Sequence, residues 1–281
     1  MPKRTSPTKS SPRCWRNRSA ARLLVVSGYT RYVAIGDSQT EGLWDRDGDG
    51  GLIGFADRLA AHLDTLYPGI AYANLAVRGR RIAHVLDDQL PLALSMRPDL
   101  ITVCIGMNDV TRPGRSFGAA LADLDALYAK LAASGATVVT TMFPDITAIL
   151  PVGRLIAGRV RRVNGVIETA AQRYGFRLVD LYHAESMREH DTWSADRVHG
   201  SAKGHRLFAA AAAEALGLPG SDHSWASAGA CAEQPSFRTR AASQVSWTRN
   251  MFVPHLWGNL RGVSSGDGLA PRRPVLAPVI R

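Results

Sequence analysis

The sequence has no apolar run near the 18 residues that a membrane-spanning helix needs. It also lacks the apolar core of a secretory signal, since Leu23–Val26 is shorter than such a segment requires. Only three cysteines are present, at positions 14, 104 and 231, which excludes a disulfide framework and favours a reducing compartment. We therefore expect a cytoplasmic protein without transmembrane helices.

Acidic residues are scarce at both ends of the chain. Residues 1–31 contain eight lysines and arginines and no acid, whereas residues 223–281 contain seven arginines and two acids. The middle, 32–222, carries a net charge of −3, although the 281-residue chain carries +10. A nucleic-acid-binding domain concentrates basic charge on its folded part. We therefore expect no nucleic acid partner for the core.

Composition divides the chain into three parts. Residues 1–28 are rich in Ser, Pro, Arg and Lys and bury little apolar surface, which predicts a disordered basic extension. Residues 29–219 form the predicted folded domain. Residues 220–281 form a basic appendage, which we predict to be partly helical or mobile. Its aromatic residues among arginines suit a membrane surface, an anionic partner or docking on the main domain.

Strand-like and helix-like patterns alternate five times in the middle part. The strand signals are short apolar runs at 32–35, 71–76, 100–105, 137–141 and 177–181. Helical spacing of apolar residues occupies 55–67, 82–96, 117–134, 160–174 and 201–216. This alternation predicts an α/β domain with a parallel sheet between two layers of helices. Ligands of such sheets bind beyond the carboxyl ends of the strands.

Four polar motifs follow strands or precede the last helix. They are GDS at 36–38, the glycine of NLAVRG at 79, GMND at 106–109 and DRVH at 196–199. One of them alone is weak, because Ser38 could be a helix N-cap and Asn108 could belong to a turn. Four motifs at one edge of one sheet indicate a catalytic site.

This set resembles the SGNH hydrolases, also called the GDSL esterases and lipases, in order and spacing over about residues 30–218. The resemblance implies a flavodoxin-like α/β/α sandwich with a five-stranded parallel sheet. It implies Ser38 as nucleophile, His199 as general base and Asp196 as the group that orients His199. It also implies an oxyanion hole made of the backbone N–H groups of Ser38 and Gly79 and the side-chain amide of Asn108.

The chemistry of ester hydrolysis needs these residue types. A serine hydroxyl becomes a useful nucleophile when an imidazole takes its proton, and the imidazole needs an acceptor on its other nitrogen. Fixed N–H donors stabilise the charge that develops on the carbonyl oxygen. An α/β-hydrolase is excluded because its G-x-S-x-G motif needs glycine where this sequence has Thr40.

We predict no metal and no cofactor. Asp45–Gly50 matches the first half of a calcium loop, but the position of its final glutamate is Ala56. The histidines show no paired metal-ligand spacing, and His205 is expected to pack near the site. Trp193 is equally consistent with a pocket wall and with plain packing.

The main hypothesis is a serine esterase acting through an acyl-enzyme on a small-molecule, lipid or carbohydrate ester. Acetyl and short-chain acyl esters, lysophospholipids and thioesters all remain open, because pocket walls lie in variable loops. The alternative is a non-catalytic binding or adaptor protein whose basic termini contact nucleic acid or an anionic membrane. The sequence does not determine the oligomeric state.

Overall fold

The computed structural model describes residues 28–111, 117–147, 149–150, 153–229 and 266–279. Its centre is a six-stranded sheet in the order β5-β4-β3-β1-β2-β6. The strands are β1 (Arg31–Gly36), β2 (Ala71–Asn74), β3 (Leu100–Cys104), β4 (Thr137–Met142), β5 (Arg177–Asp180) and β6 (Arg273–Pro278). The first five strands are parallel, as predicted, and β6 runs antiparallel to β2.

Helices cover both faces of this sheet, which confirms the predicted α/β architecture. They are α1 (Ser38–Glu41), α2 (Phe55–Leu66), α3 (Ile82–His84), α4 (Leu90–Ser95), α5 (Met107–Thr111), α6 (Phe117–Ala132), α7 (Gly153–Tyr174) and α8 (Ala202–Leu216). A π-helical segment, Val85–Gln89, joins α3 to α4. Helix α2 packs with α8, whereas α6 packs with α3 and α7. None of the described helices is long and apolar enough to cross a membrane.

The strand order creates a crevice above β1 and β3. Strand β1 lies between β2 and β3. The chain therefore passes from β1 to β2 on one side of it, and then crosses over β1 to form β3 on the other side. Connections between parallel strands are right-handed, so the helices that follow β1 and β3 cover opposite faces. Because Gly36 pairs with Cys104 at the ends of these strands, the segments that follow them meet at the crevice.

Gly36 ends β1 in a conformation that only glycine adopts without strain. Its φ is 149°, and a Cβ there would lie 2.3 Å from the Cys104 carbonyl oxygen and 2.5 Å from Thr40 Oγ1. The amide of Gln89, from the π-helical segment, accepts from Gly36 N and donates to Gly36 O, both at 2.9 Å. Strand β1 therefore ends at one fixed position immediately before Ser38.

The sixth strand corrects the prediction of a five-stranded sheet. Strand β6 belongs to the segment predicted to be a partly helical or mobile appendage. The sequence does not predict the strand, because the prolines and arginines of this segment give no strand pattern. It forms by pairing with the edge of β2 that the other strands leave open. Residues 1–27 of the predicted extension and residues 230–265 of the predicted appendage lie outside the described residues.

Arg272 fastens the start of β6 to the loop that follows α1. Its guanidinium donates to Glu41 O at 3.0 Å, to Leu52 O at 2.7 Å and to Asp57 Oδ2 at 2.7 Å. The guanidinium is part-buried. If it is removed, Glu41 O, Leu52 O and Asp57 Oδ2 each lose this hydrogen-bond donor.

We expect Arg272→Ala to lower the free energy of unfolding by about 2–4 kcal/mol, because it breaks a part-buried ion pair and leaves acceptors unsatisfied. Arg273→Ala is the matched control, because Arg273 lies 3.7 Å from Asp57 and stacks over Tyr72, contacts worth about 1 kcal/mol or less. Urea denaturation of both variants measures the difference. Equal losses would contradict this role of Arg272.

Candidate active site

Three of the predicted residues form one chain of hydrogen bonds. Ser38 Oγ lies 2.7 Å from His199 Nε2, although 161 residues separate them in sequence. The other ring nitrogen, Nδ1, lies 2.7 Å from Asp196 Oδ2. Ser38 begins α1 after β1, whereas Asp196 and His199 lie on the loop before α8. The structure therefore brings the hydroxyl, the imidazole and the carboxylate together.

A tight turn gives Asp196 and His199 their mutual geometry. Arg197 adopts a left-handed φ of 57°, and Ser194 N–H donates to His199 O at 2.8 Å across the turn. The other oxygen of Asp196, Oδ1, accepts from Ser194 Oγ and from the N–H groups of Val198 and His199, at 2.7 to 3.0 Å. The carboxylate is thus held in one orientation towards the imidazole.

The pKa of Asp196 lies below the usual range for an aspartate. Burial by itself raises this pKa, but the hydrogen bond and charge of His199 and the two backbone N–H donors outweigh burial. Asp196 is consequently ionised at neutral pH and can accept from His199 Nδ1–H. This fixes the tautomer in which Nε2 is free to take the proton of Ser38.

Gln39 connects the loop of His199 to the helix of Ser38. Its Nε2 donates to Val198 O at 3.1 Å, and its Oε1 accepts from Gly200 N–H at 3.2 Å. The two bonds flank His199 on either side. Sequence reasoning missed Gln39, because a glutamine beside the serine matches no chemical motif by itself.

Asn108 lies at the crevice with its amide nitrogen facing two acceptors. Nδ2 donates to Asp37 Oδ2 at 3.1 Å and to Arg80 O at 2.9 Å. Because both partners accept, this is the only orientation of the amide that satisfies them. Burial raises the pKa of Asp37 to about 7, against the opposing hydrogen bond from Gln39 N–H and the attraction of His199.

Gly79 lies in a turn that is fastened on both sides. Before it, Arg78 N–H donates to Glu41 Oε2 at 2.8 Å, and the Arg78 guanidinium pairs with the same carboxylate at 2.7 Å. After it, the Arg80 carbonyl accepts from Asn108. Gly79 itself has a left-handed φ of 72°. The turn therefore holds Gly79 near both α1 and Asn108, and Arg78 is an internal partner of Glu41.

A cavity of about 330 Å³ opens beside the serine. Ser38, His199 and Asn108 line it together with Trp193, whose Nε1 donates to Met187 O at 2.8 Å. Most of the remaining lining is apolar and comes from Phe55, Cys104, Met107, Phe143, Pro144, Ile146, Ile149, Leu150, Leu155, Ile156, Val179, Leu181, Phe208 and Ala212. Trp193 is thus both a cavity wall and a packed, hydrogen-bonded residue.

His205 is buried behind the site as a neutral imidazole. Its Nδ1 accepts from Phe55 N–H at 3.2 Å, and Nε2–H donates to Leu43 O at 3.1 Å. Burial lowers its pKa to about 4. His205 therefore joins α8 to the loop after α1 and to the start of α2.

Two carboxylates of the acidic loop at 45–50 make contacts within the protein. Asp45 Oδ2 pairs with Arg58 of α2 at 2.7 Å, and Asp47 accepts from the N–H groups of Asp49 and Gly51. Within the part of the chain that the structure describes, no group of three His, Cys, Asp or Glu side chains is arranged to hold a metal ion.

Comparison with known proteins adds a family and a fold. The model of the GDSL-like lipase/acylhydrolase family matches residues 34–207, more than half of the chain. No curated protein matches the chain in sequence.

Solved structures share the fold at low sequence identity. An acetyl xylan esterase from Geobacillus stearothermophilus is 20% identical, with a TM-score of 0.55 over 67% of this chain and 95% of its own. The psychrotrophic esterase EstA from Pseudoalteromonas sp. is 15% identical, with a TM-score of 0.53 over 67% and 97%. The enzyme LAE5 from the metagenome of Lake Arreo is 23% identical, with a TM-score of 0.56 over 67% and 95%.

We expect Gln39→Ala to lower kcat for ester hydrolysis about 10- to 100-fold, because small displacements of a catalytic group cost this much. KM should change less than about threefold, since the bonds lost position His199 rather than substrate. Gln172→Ala, an exposed glutamine on α7, is the control and should retain wild-type kinetics. A wild-type kcat in Gln39→Ala would show that the bridge does not position His199.

We expect the free energy of unfolding to depend on pH through His205. His205 has a pKa of about 4 in the folded protein and about 6.5 unfolded, so only the unfolded state gains a proton between these values. The contribution of His205 to the free energy of unfolding is therefore fully present above about pH 6.5. It is lost as the pH falls towards 4, which lowers the free energy of unfolding by about 3 kcal/mol. His205→Gln should not show this loss, because glutamine does not titrate.

Urea denaturation of both proteins at pH 7 and pH 4 measures this difference. The contributions of Asp37 and Asp196 are common to both and cancel in the comparison. An identical pH dependence in wild type and His205→Gln would contradict the assignment of a neutral buried imidazole.

Proposed function

The chain belongs to the GDSL-like lipase/acylhydrolase family and is a carboxylic ester hydrolase, and we propose that it works through an acyl-enzyme formed on Ser38. The observation that carries the proposal is the hydrogen-bonded chain from Ser38 Oγ through His199 to Asp196, with 2.7 Å at each link. These are the distances at which an imidazole can take a proton from a serine hydroxyl.

In the first half of the reaction, Ser38 Oγ attacks the ester carbonyl carbon while its proton passes to His199 Nε2. The carbonyl oxygen becomes an oxyanion, and the new imidazolium is stabilised by Asp196. The tetrahedral intermediate then breaks its bond to the alcohol oxygen, which leaves with the proton from His199. The products of this half are a free alcohol and an acyl ester on Ser38.

In the second half, water takes the place of the alcohol. His199 accepts a proton from the water as its oxygen attacks the acyl carbon. Collapse of the second intermediate breaks the bond to Ser38 Oγ, which recovers a proton from His199. The carboxylic acid is released and the enzyme returns to its starting state.

We propose that the oxyanion is held by the backbone N–H groups of Ser38 and Gly79 and by the amide of Asn108. The fixed turn around Gly79 supports this role, because preorganised donors need no rearrangement during the reaction. Asn108 Nδ2 donates to Asp37 and Arg80 in the structure, so an N–H must turn from one of them towards the oxyanion.

The solved relatives support the same three residue types. Catalytic mutants of the acetylxylan esterase from Geobacillus stearothermophilus replace a serine, an aspartate and a histidine, the last two three positions apart. Asp196 and His199 have this separation. The alternative of an adaptor protein rests on the basic termini, and residues 1–27 and 230–265 of these lie outside the described structure.

We expect Ser38→Ala to reduce kcat for 4-nitrophenyl butyrate by at least about 10⁴-fold, because no other group supplies the attacking oxygen. Its thermal unfolding should match that of wild type, because the change removes only one hydroxyl, which lines the cavity. Ser95→Ala, an exposed serine at the end of α4, is the control and should retain full activity. Retained turnover in Ser38→Ala would refute the acyl-enzyme assignment.

A further inference from the structure

The cavity beside Ser38 is much larger and more apolar than an acetyl group requires. Its volume of about 330 Å³ falls in the range, roughly 300–1,000 Å³, that accommodates whole small-molecule ligands. We propose that it is an acyl pocket for unbranched medium-length acyl chains of about six to ten carbons, a length set by its reach across the strands of the sheet. This inference rests on the proposed function, because it takes Ser38 as the atom that is acylated.

The polar groups of the cavity are concentrated at one end. The polar lining residues at this end, where β1, β3 and the loop before α8 meet, are Asp37, Ser38, Gln39, Asn108, Asp196, Arg197 and His199. This end holds the reacting carbonyl, which is the only polar part of an acyl group.

The rest of the cavity extends across the sheet away from β1. Cys104 of β3, Thr141 of β4 and the β5 residue Val179 all line it. From β1 to β5 there are three strand spacings of about 4.8 Å each, or about 14 Å in total. An extended chain advances about 1.2 Å per bond, so an octanoyl chain of about 9 Å fits within this length.

The walls around this extension are hydrocarbon. Phe208 and Ala212 contribute from α8, Phe143 and Ile146 contribute from the segment after β4, and Ile156 contributes from the first turns of α7. Among the described lining residues of this part, Thr141 and Thr111 are the only polar ones and no side chain is charged. A sugar hydroxyl or a carboxylate here would lose its hydration without full replacement, whereas methylene groups lose nothing.

The pocket predicts a steep dependence on chain length. Each methylene that moves from water into an apolar site favours binding by about fourfold. For substrates with the same leaving group, kcat/KM should therefore rise about fourfold per methylene until the cavity is full. Over the six methylenes between acetate and octanoate, even partial burial gives an increase of at least about 100-fold.

The experiment compares the 4-nitrophenyl esters of acetate, butyrate, hexanoate and octanoate as monomers in solution, each corrected for its rate of alkaline hydrolysis. Ser38→Ala provides the background for every substrate. An increase in Ser38-dependent kcat/KM from acetate to octanoate supports the acyl pocket. Acetate as the best Ser38-dependent substrate would overturn the pocket and leave the proposed function standing, whereas activity that survives in Ser38→Ala would overturn the proposed function.

Variants of residues that line the cavity test where the acyl chain of the substrate binds. Ile156→Trp enlarges a half-buried wall residue in the first turns of α7, and Val166→Trp enlarges a half-buried residue of the same helix outside the lining. We expect Ile156→Trp to lower the ratio of octanoate to acetate kcat/KM at least tenfold, and the control to leave this ratio within twofold of wild type.

Ala212→Leu narrows the same cavity from the α8 side and gives a second measurement if the tryptophan variant does not fold. Thermal unfolding identifies which variants are folded before their kinetics are compared. A lowered ratio in a folded wall variant supports the proposal. An unchanged ratio in the folded wall variants would place the acyl chain elsewhere and overturn it.

Discussion

The hydrogen bond between Ser38 and His199 is the contact on which the rest of the site depends. Its two residues lie near opposite ends of the domain's sequence, so several other contacts must hold Ser38 Oγ and His199 Nε2 at 2.7 Å. Gln89 fixes the last residue of β1, directly before the helix that Ser38 begins. Gln39 ties that helix to the loop of His199. The side-chain amides of Gln89 and Gln39 thus contribute mainly to the relative position of Ser38 Oγ and His199 Nε2.

Two aspartates at the site differ because their surroundings differ. Asp196 accepts from backbone N–H groups and from His199, which together overcome the cost of its burial and keep it ionised. Asp37 is more deeply buried, and its pKa rises to about 7. The first carboxylate can therefore stabilise an imidazolium, whereas the second acts mainly as an acceptor for the amide of Asn108.

The described part of the C-terminal segment belongs to the structure around the site although it lies beyond the family match. The family model ends at residue 207, whereas β6 begins at Arg273. Through Arg272 this segment binds the carbonyl of Glu41 at the end of the helix that Ser38 begins. Glu41 also binds Arg78 beside Gly79. A segment distant in sequence thereby supports both the helix that Ser38 begins and the turn of Gly79.

The pattern of apolar residues predicted the five parallel strands and the helices between them, because apolar spacing reports which face of an element is buried. The sequence also indicated Ser38, Gly79, Asn108, Asp196 and His199, since their motifs are local and follow strands or precede the last helix. The folded structure was needed to show that β6 joins the sheet, that Gln39 bridges two segments and that a cavity extends from β1 to β5. Those features depend on contacts between residues far apart in the chain, which leave no periodicity or motif in the sequence around any one of them.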